Sequence, residues 1–102
     1  MINTEKKLEI MELLREELPV LRAKAKVSQE DIAERIGISR QTYSSIETGK
    51  RTMTWTTFLA LITYFQNNPS TLQLLNGIEG LSAGLKELLT SDESGTINEK
   101  IL

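Results

Sequence analysis

Apolar residues recur at intervals of three or four along almost the whole chain, which is the spacing of one helix face. No stretch alternates apolar and polar residues with β-branched enrichment, so no sheet is predicted. The first apolar series comprises Leu8, Met11, Leu14, Leu18, Leu21 and Ala25. The series continues through Pro19, although proline cannot donate to the helix ladder and disfavours α geometry at Leu18. We predict one kinked helix over about residues 4–25 or two helices that meet near Leu18, and we favour a break or kink there.

Two short helices with clear ends follow this series. Ser28 is a good N-cap for a helix over about residues 29–36, and Gly37 would end it in left-handed geometry. Ser39 caps the next helix, over about residues 40–48. Since only the sequence GIS separates the two helices, a tight turn must join them. This is the spacing of a helix-turn-helix.

Three more helices are predicted downstream. A fourth helix has a broad apolar stripe, and a short fifth helix would end at Gly77. Leucines over residues 81–89 permit a sixth helix, which Gly80 and Gly84 weaken because glycine costs about 1 kcal/mol relative to alanine in a helix interior. From Ser91 onward the composition is that of a frayed tail.

Composition restricts the chemistry that this chain can perform. Its 102 residues suit one domain, and it contains no cysteine and no histidine. Disulfides, thiolate zinc sites and nucleophiles activated by histidine are therefore excluded. We predict no metal, no cofactor and no enzymatic activity. No apolar run is long enough to span a bilayer, so we expect no membrane association and a cytoplasmic protein.

Charge is distributed unevenly along the chain, although the net charge is only −2. Residues 20–55 carry seven basic and four acidic side chains, which gives +3. Residues 1–19 carry −2 and residues 56–102 carry −3. A polyanionic partner would therefore be met by the middle third of the chain and not by the whole molecule.

The paired short helices have an apolar side and a polar side. Small Ala33 allows a close helix approach, and Gly37 permits a turn that a Cβ would oppose. The predicted core of the pair consists of Ile32, Ala33, Ile36, Gly37, Ile38, Tyr43 and Ile46. Four polar residues are left outward on the second of the two helices: Arg40, Gln41, Ser44 and Ser45. Their donors and acceptors suit the edges of DNA bases.

The segment SQEDIAERIGISRQTYSSIETGKR, residues 28–51, resembles the helix-turn-helix of the Cro/C1-type (xenobiotic-response-element-like) regulators, the family of the phage lambda and 434 repressors. The similarity covers roughly residues 15–75. It implies an all-α, five-helix, lambda-repressor-like DNA-binding domain, which we assign to residues 18–76. A helical extension at residues 1–17 and a C-terminal helix and tail at residues 77–102 would flank it.

The resemblance implies two kinds of DNA contact. The base-reading residues would be Arg40, Gln41 and Ser44, with Ser45 as a further candidate. The residues facing the sugar-phosphate backbone would be Gln29, Ser39, Thr42, Lys50 and Arg51. In a polar helix face without this pattern, such residues are more often merely solvated.

The resemblance also pairs Arg22 with Glu47 in a largely buried salt bridge that ties the first helix to the third. A surface contact of little energetic value is the alternative. Tyr43 is expected in the core with its hydroxyl at the rim, and contact with a backbone phosphate is its alternative. Trp55 and Phe58 are expected in the core and not as stacking platforms.

We predict a transcriptional repressor that binds double-stranded DNA as a homodimer on a pseudo-palindrome. An antitoxin or restriction-system controller is the first alternative, with a protein partner bound through residues 1–17 or 77–102. A protein-interaction module that has lost DNA binding is the second. The apolar residues of the two flanks either form a dimer interface or pack on each other within one chain, and the sequence does not decide between these arrangements.

Overall fold

A computed structural model describes residues 4–90, which form six helices and no strand. The helices are α1 (Thr4–Ala25), α2 (Gln29–Ile36), α3 (Arg40–Glu47), α4 (Trp55–Gln66), α5 (Leu72–Asn76) and α6 (Leu81–Leu89). The predicted all-helical fold is confirmed. None of the six helices is long and apolar enough to cross a membrane. The tail expected from Ser91 onward lies outside the described residues.

The first helix, α1, runs without a break through Pro19. The arrangement in which two helices meet near Leu18 is therefore wrong. Pro19 is exposed, and the residue four positions before it, Arg15, whose carbonyl loses its helix partner, is partly exposed. Buried Leu14 and Leu21 hold both halves of the helix on the core.

The pair α2 and α3 owes its sharp ends to its capping residues. Ser28 Oγ accepts a hydrogen bond from the Asp31 amide at 3.0 Å, and the Asp31 carboxylate accepts one from the Ser28 amide at 3.1 Å. This is a capping box. At the other end of α2, Gly37 has φ +85° and its amide donates to the Ala33 carbonyl at 2.9 Å. The left-handed glycine turns the chain into α3 within three residues.

The core is built on α1, which contacts α3, α4 and α6. The buried apolar residues of the core are Ile10, Met11, Leu14, Leu18, Leu21, Ile32, Ala33, Tyr43, Ile46, Met53, Phe58, Leu61, Ile62, Phe65, Leu75 and Leu81. Four residues predicted for the core of the α2–α3 pair are in this set, whereas Ile36 and Ile38 are partly buried against it and Gly37 is exposed. Each large aliphatic side chain contributes about 1.5–3 kcal/mol on burial.

The two flanks pack on each other within one chain. Helix α6 lies against the N-terminal half of α1, where Leu81 and Ile10 are both buried. The two helices approach closely at Gly84, where an added Cβ would lie 2.6 Å from Ile10 Cγ2. Near the same place, Lys6 Nζ lies 3.9 Å from a carboxylate oxygen of Glu87. Of the two arrangements left open by the sequence, the structure has the intrachain one.

Candidate nucleic-acid interface

Helix α3 begins with a compact set of hydroxyl groups. Ser39 Oγ accepts a hydrogen bond from the Thr42 amide at 3.0 Å and donates one to Thr42 Oγ1 at 2.9 Å. The first bond satisfies one of the free amides of the helix N-terminus. The second leaves the Thr42 hydroxyl proton available to an outside acceptor. Both residues, expected to face the DNA backbone, therefore lie at the N-terminal end of α3.

The outward face of α3 is polar and accessible. Arg40 and Gln41 are exposed, and Ser44 and Ser45, one helical turn later, are partly exposed. Neither Arg40 nor Gln41 makes a side-chain hydrogen bond or ion pair with the residues that the structure describes. Since the opposite face of α3 is buried, these four side chains form one continuous surface that could meet a ligand.

The segment after α3 carries two exposed basic residues, Lys50 and Arg51. Gly49 turns the chain with φ +84°, and the Arg51 amide then donates to the Ser45 carbonyl at 3.1 Å. This backbone bond holds the segment against the C-terminal half of α3. Both cations, expected to contact phosphate, therefore follow the C-terminal end of α3 closely, and Arg51 also lines a cavity with Glu12 and Arg15 of α1.

Beneath this surface, the Glu47 carboxylate accepts four hydrogen bonds, two on each oxygen. Arg22 donates from Nε to Oε1 and from Nη2 to Oε2, both at 2.9 Å. The Tyr43 hydroxyl donates to Oε1 at 2.7 Å, and Gln29 Nε2 donates to Oε2 at 3.2 Å. Arg22 Nη1 also donates to the Val27 carbonyl at 3.2 Å. The network joins α1, the segment before α2, α2 itself and α3.

The Arg22–Glu47 pair is largely buried, with the two side chains 20% and 8% exposed. Burial alone would raise the pKa of Glu47, but hydrogen bonds from Arg22, Tyr43 and Gln29 keep the pKa below its ordinary value. Burial, followed by the bond to Glu47, raises the pKa of the Tyr43 hydroxyl. Glu47 is therefore ionised and Tyr43 protonated at neutral pH, which suits a carboxylate that only accepts and a phenol that donates.

Tyr43 lies in the core as expected, but its hydroxyl and the Gln29 side chain make contacts with Glu47 that were not expected. Tyr43 is fully buried and donates to Glu47, so its hydroxyl neither lies at the rim nor reaches a phosphate. Gln29 was expected to face phosphate, but one N–H of its amide points inward to Glu47. Its second N–H and its backbone amide remain for a ligand.

Sequence reasoning did not identify Arg15 as part of this region. Its Nη1 donates to the Glu47 carbonyl at 3.3 Å, and its guanidinium also binds the Glu12 carboxylate. Spacing in the sequence could have revealed the bond from Arg15 to Glu47 and the bond from Tyr43 to Glu47. Arg15 and Arg22 are seven residues apart, which places them on one face of α1, and Tyr43 and Glu47 are four apart on α3.

Negative charge lies beside part of this surface. A shallow groove between α2 and the start of α3 is lined by Glu30, Asp31, Glu34 and Arg40. The backbone amide of Ser28 binds the Asp31 carboxylate and lowers its pKa. Glu30 and Glu34 are exposed and would repel a phosphate. Contacts with the DNA backbone would therefore concentrate at the N-terminus of α2 and at the segment after α3.

The aromatic residues near the start of α4 are packed. Phe58 is fully buried, and the partly buried ring of Trp55 stacks on it with a centroid distance of 4.9 Å. Lys7 Nζ lies 4.6 Å from the centroid of the Trp55 ring, a cation–π contact between α1 and α4. Neither ring stands out as a platform for an unpaired base.

A family model described as a helix-turn-helix domain matches residues 13–75. The match covers more than half of the chain and runs from the middle of α1 into α5, so the chain belongs to this family. Comparisons with curated proteins and with solved structures give no match. Helix-turn-helix domains typically bind DNA with the second helix of the pair in the major groove. In residues 4–90, no group of three or more acidic side chains is placed to hold a metal ion.

Proposed function

We propose that this chain is a Cro/C1-type transcriptional repressor that binds a pseudo-palindromic operator as a homodimer. The observation that carries the proposal is the outward face of α3. Arg40 and Gln41 lie free on that face while the Glu47 network holds the helix rigidly from behind. A helix fixed in this way can present the same donors and acceptors to every DNA sequence that it meets.

In this proposal α3 enters the major groove with its N-terminal residues toward the bases. Arg40 can donate two hydrogen bonds to guanine, and Gln41 can pair with the N6 and N7 edge of adenine. Ser44 and Ser45 supply shorter groups that accept and donate. The N-terminus of α2, Ser39, Thr42, Lys50 and Arg51 would hold the sugar-phosphate backbone and fix the register.

A homodimer follows from the small size of the surface. One α3 helix reaches only a few base pairs, which is too few to distinguish an operator from the rest of a genome. Two copies related by twofold symmetry double the contacts and require half-sites about one helical turn apart. A dimer on such a site would block access of RNA polymerase to an overlapping promoter.

Selection of bound duplexes from a random DNA pool tests the proposal directly. We expect enrichment of one motif with two inverted half-sites, because a symmetric dimer reads each half in the same way. Enrichment of no motif would contradict sequence-specific binding and favour a protein-interaction module instead. An enriched motif without inverted symmetry would contradict the homodimer alone.

A second candidate, an antitoxin or restriction-system controller with a protein partner, is favoured by one groove. Its floor contains Leu13, Leu74 and Ile78, all partly buried, and its rim carries Glu17 and Glu79. Such a surface suits a basic segment with apolar side chains. Co-purification with the product of a neighbouring gene, lost in a Leu74→Glu variant that still binds DNA, would support this function.

A further inference from the structure

Both the Tyr43 hydroxyl and the carboxylate that it binds belong to the proposed recognition helix. Tyr43 and Glu47 are four residues apart on the buried side of α3, and their hydrogen bond is 2.7 Å long. Arg22 comes from α1 and covers both oxygens of the carboxylate. Gln29 comes from α2 and binds Oε2 at 3.2 Å. Through Glu47, the inner side of α3 thus contacts the first residue of α2.

The carboxylate fixes the orientation of the Gln29 amide. Because a carboxylate only accepts hydrogen bonds, the NH2 group of the amide must face Glu47 and the carbonyl oxygen must face away. One N–H of that NH2 group is used and the second remains. A DNA phosphate also only accepts hydrogen bonds, so this second N–H and the backbone amide of Gln29 are the groups that can bind it.

Tyr43 is suited to hold the carboxylate in place. Its side chain is fully buried, so water does not compete for the hydroxyl, and burial keeps the phenol protonated. Arg22 holds both oxygens in the plane of its guanidinium, and Tyr43 is the donor on α3 that fixes where Oε1, and with it the pair, lies relative to that helix. Oε2 is the oxygen that binds Gln29.

We propose that Tyr43 is a positioning residue for the contact between Gln29 and the DNA backbone, acting through Glu47. This inference rests on the proposed DNA-binding function. With phenylalanine at position 43, both bonds from Arg22 remain and keep the two oxygens in the guanidinium plane, but Oε1 loses its donor from α3, so the Arg22–Glu47 pair can shift as a unit relative to Gln29. The Gln29 amide then has to be ordered when DNA binds, which weakens the phosphate contact. Base preference stays the same, since a phosphate contact carries no sequence information.

A double-mutant cycle on the selected operator tests this role. The four proteins are the parent, Tyr43→Phe, Gln29→Ala and the double variant. We expect Tyr43→Phe to weaken operator binding about three- to tenfold in the parent, the range of one modest hydrogen bond. In the Gln29→Ala background the same change should have no effect, because the amide that Tyr43 positions is gone.

Tyr64→Phe is the matched control, since it removes a tyrosine hydroxyl from α4, outside the network. In the free protein, the side-chain NH2 resonances of Gln29 should shift in Tyr43→Phe and stay in place in Tyr64→Phe. Equal losses of affinity in the two backgrounds, or unchanged affinity in Tyr43→Phe, would overturn the inference while leaving DNA binding intact. If the parent itself bound no selected DNA, the proposed function and this inference would fall together.

Discussion

At the scale of single residues, α3 has two faces of different chemistry. Its inner face carries Tyr43, Ile46 and Glu47, whose packing and hydrogen bonds fix the helix to α1 and α2. Its outer face carries Arg40 and Gln41, which are exposed. Substitutions on the two faces should therefore have different effects, with stability affected on the inner face and DNA recognition on the outer face.

Replacement of Arg40 or Gln41 by alanine tests the outer face. Each variant should lose about 1–3 kcal/mol of specific binding, because a bidentate contact with one base is removed. Preference at one operator position should relax, and the melting temperature should stay within error. Equilibrium binding to operators with single-base changes measures the loss of affinity and the relaxed preference, and thermal unfolding measures the melting temperature. Arg35→Ala, which removes an exposed positive charge near the end of α2, is the matched control. If both variants bind as the parent does, these residues do not read bases.

Replacement of Arg22 by alanine tests the inner face. The Glu47 side chain is 8% exposed and would lose its charged partner, so we expect a loss of about 3 kcal/mol in the free energy of unfolding. For a domain of this size, that loss lowers the melting temperature by more than about 10 °C. Thermal unfolding followed by circular dichroism measures the shift, with Lys24→Ala on the exposed side of α1 as the control. An unchanged melting curve would show that the pair contributes little.

The lowered pKa of Glu47 predicts how the stability of the network depends on pH. Because the folded state binds the Glu47 proton more weakly than the unfolded state, its stabilising contribution is complete above the ordinary glutamate pKa of 4.5. The contribution is lost as the pH falls through the lower, folded-state pKa. Arg22, Tyr43 and Gln29 face the carboxylate, and none of them changes charge in this range.

Glu47→Gln isolates this contribution, since glutamine resembles the protonated acid. Denaturant unfolding from pH 7 to pH 3 should show a difference in free energy between parent and variant that is constant above about pH 5 and shrinks below it. Other carboxylates with lowered pKa values, such as Glu12 and Asp31, are present in both proteins and cancel in the difference. A difference independent of pH would contradict the assignment of this titration to Glu47.

The interactions of the inner face could be predicted from the sequence only in part. The Arg22–Glu47 pair followed from the family resemblance, and the structure has it. The roles of Tyr43 and Gln29 did not follow, because their bonds depend on how close α2 and α3 approach in three dimensions. Base contacts by Arg40 stay a prediction, since they depend on a DNA molecule.

At the scale of helices, the local sequence was sufficient to predict a helix end wherever a capping residue marks it. Ser28, Gly37 and Ser39 predicted the bounds of α2 and the start of α3, because each cap satisfies backbone groups within a few residues. Of the break or kink favoured at Pro19, the break is wrong, because tertiary packing outweighed a local preference and α1 is continuous. Burial of Leu14, Leu18 and Leu21 on both sides of the proline offsets its cost.

Gly84 provides a test of the contact between α1 and α6. In an isolated helix, Gly84→Ala should stabilise by up to about 1 kcal/mol. In this fold the new Cβ would lie 2.6 Å from Ile10 Cγ2 in the core, so we expect a net loss of about 1–3 kcal/mol. Denaturant unfolding measures it, with the exposed Ser82→Ala as the control.

A second substitution tests whether steric overlap is the cause of the stability lost in Gly84→Ala. Ile10→Leu removes the Cγ2 methyl that the new Cβ would meet, so adding it to Gly84→Ala should recover part of the lost stability. Stability equal to that of the parent in the single Gly84→Ala variant would contradict the close packing of α6 on α1.

At the scale of the whole molecule, the sign of the net charge does not decide the partner. The chain carries −2, yet residues 20–55 carry +3, and the basic excess lies in the segments that flank α2 and α3. Within a Debye length of about 8 Å, a phosphate responds to the side chains nearest to it. The acidic flanks would lower the long-range attraction and weaken non-specific binding, which makes operator binding depend more on base contacts.

The proposed homodimer predicts a geometric requirement of the operator. Two α3 helices related by twofold symmetry must meet the major groove on the same side of the duplex, about one helical turn apart. Inserting about five base pairs between the half-sites turns one of them to the opposite side of the duplex and should abolish cooperative binding. Inserting about ten base pairs returns both half-sites to the same side and should restore it. Gel-shift titrations on the three duplexes, with stoichiometry from sedimentation, measure the effect. One chain per operator, with affinity independent of the spacing, would contradict the dimer and leave each α3 helix to read its site alone.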